Sequence, residues 1–573
     1  METGEYGGVG GSPGEEAMVG GMDAARAAAE RRTSDPPPET PPEKPGRLAR
    51  STAFFSIATA FSRIAGLVRE IVAASYFGVS GAMSAFTIAF QVPNLVRSLF
   101  ADAAIQAAFV PVFTEHLEKG RRQEAFRLAS TMIFLVTLIL GALTALLIVL
   151  APVVMPLFVP DKYVDVTDLT VTLSQILFPI IVLLGITGMV VGVLNSYNRF
   201  AAFAISPFFW NVAIIAVLVA IEPRFSSQDG IYAYAIGVLV GTVIQLAIPV
   251  WDLRHTPYGA KRALLAPFRV RRADWRDSGV RRVLLLMLPV TVSLGLININ
   301  LLINSTVGFL VSEQAPAAID KSFRIYMLPQ GIFSVAITTV LFPTLARYAA
   351  RADYERLRAT MANGMRQILL LLVPAAASIL VLSEPMTRLV YQRGEFVAAS
   401  TDIVSEALFW FAFSLPFNGL FLILTRTFFS LQRPWVPTAI SAGNLAITAG
   451  ASLALYEPFG VGGIVAATGL ATIASVAAQS WVLRAQLGRL ELGRLIWSGS
   501  RITLASAALA GASYGVWSVL DDALGRGVGG QIASLGLALA AGAAVYAIVV
   551  TLLRVPEAQQ IRDLVTRRGR SAE

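Results

Sequence analysis

Residues 51–77 read STAFFSIATAFSRIAGLVREIVAASYF. About 20 apolar residues in a helix, rising 1.5 Å each, cross the hydrocarbon core of a bilayer. This stretch is long enough to do so, yet it keeps Arg63, Arg69 and Glu70 inside that length. Charges within a membrane helix are tolerated when they face protein or a wet cavity. The segment therefore predicts both a membrane fold and a polar interior.

The rest of the chain extends that reading. Of its 573 residues, 55% are hydrophobic and 14% charged, against about 25% charged in an ordinary soluble protein. Long apolar runs alternate with short polar ones. They predict fourteen spans near 51–77, 82–112, 128–158, 167–195, 202–221, 230–251, 283–311, 318–346, 366–391, 403–430, 436–455, 461–484, 500–519 and 531–553. Runs of this length are helices rather than barrel strands, because a helix satisfies its own backbone in lipid. The expected fold is an all-α polytopic membrane protein.

Composition excludes several chemistries. There is no cysteine, so disulfides, thiol catalysis and thiolate metal sites are ruled out. The two histidines, His116 and His255, sit among charged loop residues, and no metal site or cofactor is expected. The net charge of +9 lies in short loops beside apolar helices, which is a topological signal and not a nucleic-acid footprint.

Residues 1–46, rich in Gly, Ala, Pro and Glu, cannot bury a core and are expected to form a disordered cytoplasmic tail. They lack the apolar core of a signal peptide. Odd-numbered loops carry about one basic residue each, namely Lys162, Arg224, Lys321, Arg393 and Arg526. The even ones carry many, as in Lys119, Arg121, Arg122 and Arg127, or Arg347, Arg351, Arg356, Arg358 and Arg366. The bias holds through all fourteen spans, which places both termini in the cytoplasm of an inner-membrane protein.

An internal repeat sets the domain plan. Residues 85–93, AFTIAFQVP, resemble 322–329, SFRIYMLP; 108–111, AFVP, resemble 340–343, VLFP; and 195–199, NSYNR, resemble 429–433, FSLQR. The offsets lie near 235 residues, or six spans, so the halves run parallel about an axis along the membrane normal. The expected domains are an N-lobe at 47–255 (spans 1–6), a basic cytoplasmic linker at 256–282, a C-lobe at 283–484 (spans 7–12), a helix pair with its preceding loop at 485–553, and a cytoplasmic tail at 554–573. Glu557–Arg570 reads as a solvated or membrane-surface helix, and the Gly- and Ala-rich pair as closely packed.

Candidate function follows from intramembrane arginine, which costs about 2.5–3.5 kcal/mol at the bilayer centre on insertion scales. Arg63 lies too deep to reach either surface easily, and shares a helix face with Glu70. Gly66 could let the helix bend and bring Arg69 toward the same cavity. Arg97 lies one turn beyond Pro93 in span 2, and Arg324 five residues before Pro329 in span 8. Glu70 and Asp102 match these four arginines only partly. An excess of guanidinium around a wet cavity suits a phosphate or diphosphate, whose oxygens the planar fork binds in pairs. The competing reading is structural, with Arg63 paired to Glu70 and Arg97 to Asp102. Arg388 and Arg426, nearer span ends, are expected to snorkel.

The segments SRIAGLVRE (62–70), VPNLVR (92–97), FVP (109–111), LNSYNRF (194–200), YQRGEF (391–396) and RTFF (426–429) lie in order across about residues 50–555. Together they resemble the MurJ/MviN lipid II flippases of the multidrug/oligosaccharidyl-lipid/polysaccharide exporter superfamily. The resemblance implies two pseudo-symmetric six-helix lobes around a cationic cavity, with a last helix pair making a groove for a polyprenyl tail. It implies a transporter, not an enzyme, that moves undecaprenyl-diphosphate-linked peptidoglycan precursor from the inner to the outer leaflet by alternating access. Substrate-binding residues would be Arg63, Arg69, Arg97 and Arg324, supported by Glu70, Gln91, Asn94 and Asp102. The partners would be lipid II, membrane lipids and a cell-wall synthesis complex.

The chain departs from the family in places. Ser84 and Phe323 stand where relatives often have Asp, and span 7 offers Asn298, Asn300 and Asn304 where some relatives bind sodium through carboxylates. The coupling ion stays open, with the membrane potential as one source of energy. No cytoplasmic kinase-like domain of the kind some high-GC relatives carry is expected. Alternatives are a polysaccharide-lipid flippase or a multidrug exporter of the same superfamily, an intramembrane polyprenyl-phosphate enzyme, and a non-transporting scaffold. Buried arginines outnumber buried acids, which disfavours a drug exporter, and no metal-binding carboxylate pair supports an enzyme.

Overall fold

The computed structural model describes residues 45–100, 103–197, 199–225, 229–255, 278–488 and 490–559, with side chains at all of these except 45–57, 97–100, 103–107, 278, 285–298 and 492. The expectations for residues 1–44, most of the 256–282 linker, Asp102 and the tail beyond 559 fall outside these, as do the side chains of Arg97 and Asn298. The described residues from Ala58 onward form one compact unit.

Among the described residues sixteen α-helices follow one another and no strand occurs. They are α1 (Pro45–Phe77), α2 (Gly81–Phe100), α3 (Ala103–Glu118), α4 (Arg122–Val154), α5 (Val164–Leu177), α6 (Ile180–Ser196), α7 (Ala201–Ile221) and α8 (Ile231–Asp252), then α9 (Ser278–Val311), α10 (Ala315–Pro329), α11 (Val335–Ala350), α12 (Tyr354–Tyr391), α13 (Ala398–Ser430), α14 (Trp435–Leu487), α15 (Leu492–Leu524) and α16 (Val528–Leu552). Several expected spans are built from two helices. Span 2 is α2 with α3, span 4 is α5 with α6, and span 8 is α10 and α11 joined by a π turn at Gln330–Ser334. Pro329 explains that turn: its ring removes a backbone donor and crowds the preceding turn, so the ladder widens locally.

The opposite happens in α14. Its 53 residues would reach about 80 Å if straight, well over twice a bilayer core. Gly460 breaks it, at φ +54 and ψ −135. Asn444 Nδ2 donates to Ser475 Oγ at 2.9 Å, although 31 helical residues would separate them by about 46 Å. The chain therefore folds back at Gly460, giving two antiparallel segments where spans 11 and 12 were expected.

Local geometry repeats between the halves. Gly120 (φ +71) precedes the Arg121 N–H to His116 carbonyl bond of 2.9 Å, and Ala352 (φ +54) precedes the Asp353 N–H to Tyr348 carbonyl bond of 3.0 Å. Likewise Arg199 N–H donates to Leu194 O, and Arg433 N–H to Phe428 O, each at 3.0 Å. These are six-to-one bonds, and with the left-handed Gly120, Ala352 and Gln432 (φ +57) they make Schellman helix ends. They fall at equivalent places in the two lobes, α1–α8 and α9–α14.

The lobes meet along α2–α3 and α9–α10. Ser84 Oγ accepts from Ala317 N–H at 3.2 Å, Gln91 Nε2 donates to Ser305 Oγ at 2.7 Å, and Arg282 Nη1 pairs with Glu115 at 2.9 Å. Residue numbers rise on one side as they fall on the other, so the two elements are antiparallel. Hydrogen bonds from Lys119 and Arg282 hold the half-buried Glu115 carboxyl, near the end of α3, below the usual carboxylate range. At the far end, Glu395 N–H donates to Ser75 O at 2.9 Å.

The last pair, α15 and α16, packs tightly: a Cβ at Gly542 would collide with Ser513 Oγ and meet Leu509 at 3.2 Å. It is fastened to α12 at three heights. Arg366 Nε pairs with Glu557 at 2.6 Å, Tyr546 OH donates to Leu370 O at 2.7 Å, and Arg388 pairs with Asp521. Two expectations need correction here. Arg388 does not snorkel; it is buried, because Asp521 and Glu384 (3.2 Å) supply partners inside the bundle. Glu557 is not solvated but 2% exposed, held by Arg366 and by Ser498 Oγ at 2.8 Å.

Breaking a buried pair from one side strands its partner, at a cost of about 3–5 kcal/mol. Arg388→Leu should therefore lower the thermal unfolding midpoint in detergent, and adding Asp521→Leu should recover most of the loss. A single variant as stable as the parent would contradict the pairing.

Candidate functional site

Apart from the pairs that fasten α12 to the terminal helices, a cluster of buried charges lies where α1 meets α10. Glu70, 3% exposed, is the hub. Arg69 Nη2 pairs with its Oε1, Arg324 Nη1 reaches the same oxygen at 3.1 Å, and Lys321 Nζ donates to Oε2 at 3.0 Å. Arg324 also grips Asp320 with two bonds, Nε at 2.9 Å and Nη2 at 3.3 Å. The Arg69 guanidinium lies over the Trp210 ring of α7, 4.6 Å from its centroid. Such a contact suits a planar cation partly stripped of water.

Helix geometry explains the gathering. Asp320 and Arg324 are one turn apart on α10 and so share a face. Lys321 and Arg324, three apart, are neighbours as well, which lets both cations meet one acid from the other lobe. Tyr391 at the end of α12 donates from its OH to the Lys321 carbonyl at 3.3 Å, and the Lys321 ammonium lies 5.7 Å from its ring centroid.

The expected site residues divide into three groups. Arg69, Glu70 and Arg324 come together. Arg63 is exposed on α1 and lies beside the π turn, its Nη1 3.3 Å from where a Cβ on Gly331 would sit; it does not touch Glu70, so the simple Arg63–Glu70 pair is not formed. Gln91 and Asn94 lie further along α2, Gln91 bonded to Ser305 of the other lobe. Arg97 lies on the last turn of α2.

The expectation of unpaired guanidinium groups also needs correction. Arg69 and Arg324 are both paired with protein acids. An excess of positive charge nevertheless persists, because Lys321 adds a cation. Arg69, Lys321 and Arg324 face Glu70 and Asp320, leaving one net positive charge, and Arg63, two turns or about 10 Å before Glu70 on α1, adds a second. Loop charge alone places Lys321 in an outward loop; the structure buries it fully in α10. Its spacing to Arg324 was the available signal.

The departures from the family pattern find local explanations. Asp320, one turn before Arg324, supplies a carboxylate that Phe323 cannot. Ser84, fully buried, caps the Ala317 N–H near the start of α10. Asn300 donates to Asn444 Oδ1 at 3.0 Å and Asn304 to Thr468 Oγ1 at 3.0 Å, tying α9 to both arms of α14. No group of three or more metal-ligating His, Cys, Asp or Glu exists among the described residues.

Two related lobes of six spans each, joined through a charged seam and followed by a helix pair, define a membrane transporter. Two solved structures share this fold: a lipid II flippase MurJ in an inward closed conformation (TM-score 0.70, 22% identity, covering 89% of this chain and 99% of that one) and an inward-facing MATE-family multidrug resistance transporter of the MOP superfamily (TM-score 0.62, 12% identity, covering 75% and 95%). The family model described as lipid II flippase MurJ matches residues 73–528. A curated relative, the probable lipid II flippase MurJ of Rhizobium meliloti (strain 1021), is 31% identical over 493 residues, 82% of this chain and 86% of its own length. The chain belongs to the lipid II flippase MurJ family. Arg97 and Arg324 fall inside the stretch matched by the family model, and Arg63, Arg69 and Glu70 just before it.

Proposed function

We propose that this chain carries lipid II, the undecaprenyl-diphosphate-linked disaccharide-pentapeptide, from the inner to the outer leaflet of the bacterial inner membrane by alternating access. Arg63, Arg69, Arg97 and Arg324 bind the diphosphate, with Glu70, Gln91, Asn94 and Asp102 in support. The observation that carries this reading is the meeting of Arg69 from one lobe and Arg324 from the other on a single carboxylate. Charges held between two lobes bind an anion most strongly in one arrangement of those lobes, and differential affinity of that kind is what transport requires.

Both termini face the cytoplasm in this proposal, following the basic loops. The Ser75–Glu395 contact then lies at the outward end, so the lobes are joined on that side. The domains are the two lobes at 47–255 and 283–484, the basic linker between them, and the pair at 485–553. Sugars and peptide occupy the wet lumen while the polyprenyl chain stays in lipid. Partners beyond lipid II and membrane lipids include the cell-wall synthesis complex.

The test is rescue of a flippase-depleted strain, combined with an assay of outer-leaflet lipid II. A charge-assisted bond contributes about 1.5–3 kcal/mol, so Arg63→Ala should cut delivery by about tenfold or more and fail to support growth at normal membrane levels. Growth and delivery like the parent would reject the site.

A further inference from the structure

Lys321 has no role in the reading so far, yet its burial is complete. A lysine ammonium is strongly hydrated, and burying it is costly unless an acid compensates. Here the compensation comes from the other lobe, through the 3.0 Å bond to Glu70 Oε2. On its own side, Lys321 is held by the helix it belongs to and by Tyr391, whose hydroxyl binds its carbonyl. Five residues along α1 from Glu70, the Ser75 carbonyl accepts the Glu395 amide. The ion pair thus sits next to the seam that joins the lobes.

We infer that Lys321 is a positioning residue for transport. It holds the Glu70 carboxylate between the lobes as a resident anion, which keeps this end joined until the cargo's diphosphate takes over the cations. The inference rests on the proposed diphosphate site. Its logic is charge balance. Separating α1 from α10 pulls Glu70 off Lys321 and Arg324 and leaves a buried ammonium uncompensated. A ligand bringing two negative charges removes that obstacle. The described groups Arg63, Arg69, Lys321 and Arg324, less Glu70 and Asp320, carry two net positive charges, which such a ligand matches. Opening without cargo is then opposed, and opening with cargo is not.

The chain contains no cysteine, so a single Ser75→Cys reporter is clean. The experiment measures the rate at which a membrane-impermeant maleimide labels that thiol in proteoliposomes, with and without lipid II. With Lys321 in place, lipid II should speed labelling. Lys321→Met should raise the rate without lipid II by about tenfold and erase the response to it, while Lys321→Arg should restore both. Lys321→Met labelling like its parent, with an intact lipid II response, overturns the inference, as does failure of Lys321→Arg to restore a response that Lys321→Met has lost. Arg63→Ala separates this from the site itself. Loss of transport in Arg63→Ala together with parental labelling in Lys321→Met would leave the diphosphate site standing and remove only the role of Lys321. Normal transport in Arg63→Ala would remove the site and the inference with it.

Discussion

Arg324→Ala is expected to abolish transport outright, seen as failed rescue of a flippase-depleted strain and a fall in outer-leaflet lipid II of more than about tenfold. Three consequences coincide in this one change. The fork that would grip the diphosphate is lost. Glu70 loses one of its three cations, and Asp320 loses its two-bond partner. The excess positive charge of the described Glu70 cluster falls to zero. A stranded Asp320 could by itself disturb the helix, at several kcal/mol. The double change Arg324→Ala with Asp320→Asn removes that stranded charge and isolates the loss of the guanidinium. Transport should stay absent in the double variant. Recovery there would mean that Arg324 serves only to neutralise Asp320. Arg324→Lys keeps the charge without the fork and should fall between, since an ammonium cannot bind paired oxygens in a plane.

The second large effect is expected at Gly394. Its φ of +58 lies in the left-handed region, and a Cβ there would collide with the Ser75 carbonyl. Gly78 is its counterpart, at φ +54, where a Cβ would strike the Glu395 carbonyl. The two glycines let backbone meet backbone across the lobes. The left-handed conformation alone costs a side-chain-bearing residue about 1–2 kcal/mol, and a clash with main chain cannot be relieved by a rotamer change. Gly394→Ala should therefore part the Ser75–Glu395 contact, lower the unfolding midpoint in detergent and impair rescue, whereas Gly120→Ala, at a left-handed helix end with φ +71 and open space around it, should bear only the conformational cost. Equal behaviour of the two variants would show that the collision does not matter.

Much of the architecture could be read from the chain because span length and loop charge are local signals. The paired arms of α14 were legible as two apolar runs, 436–455 and 461–484, with Glu457 and Pro458 between them. Arg69, Glu70 and Arg324 were legible because a charge in an apolar run is expensive enough to demand a reason. Lys321 was not, since a lysine near a span's edge looks like any loop residue. Its burial depends on Glu70, 251 residues away. Arg388 was misjudged for the same reason: its partner Asp521 lies 133 residues on, at the polar end of a different span. Partner identity across lobes is a tertiary fact, and hydropathy carries no trace of it. The π turn after Pro329 is intermediate, because proline announces a disturbance of the helix without specifying which one.

The three fastenings on α12 have a mechanical corollary. Arg366 and Leu370 lie before the kink of α12 at Leu382 and Arg388 beyond it, so α15 and α16 are bound to both arms and splint the bend. The terminal pair is thereby fastened to the second lobe, and a movement of that lobe is expected to carry it along.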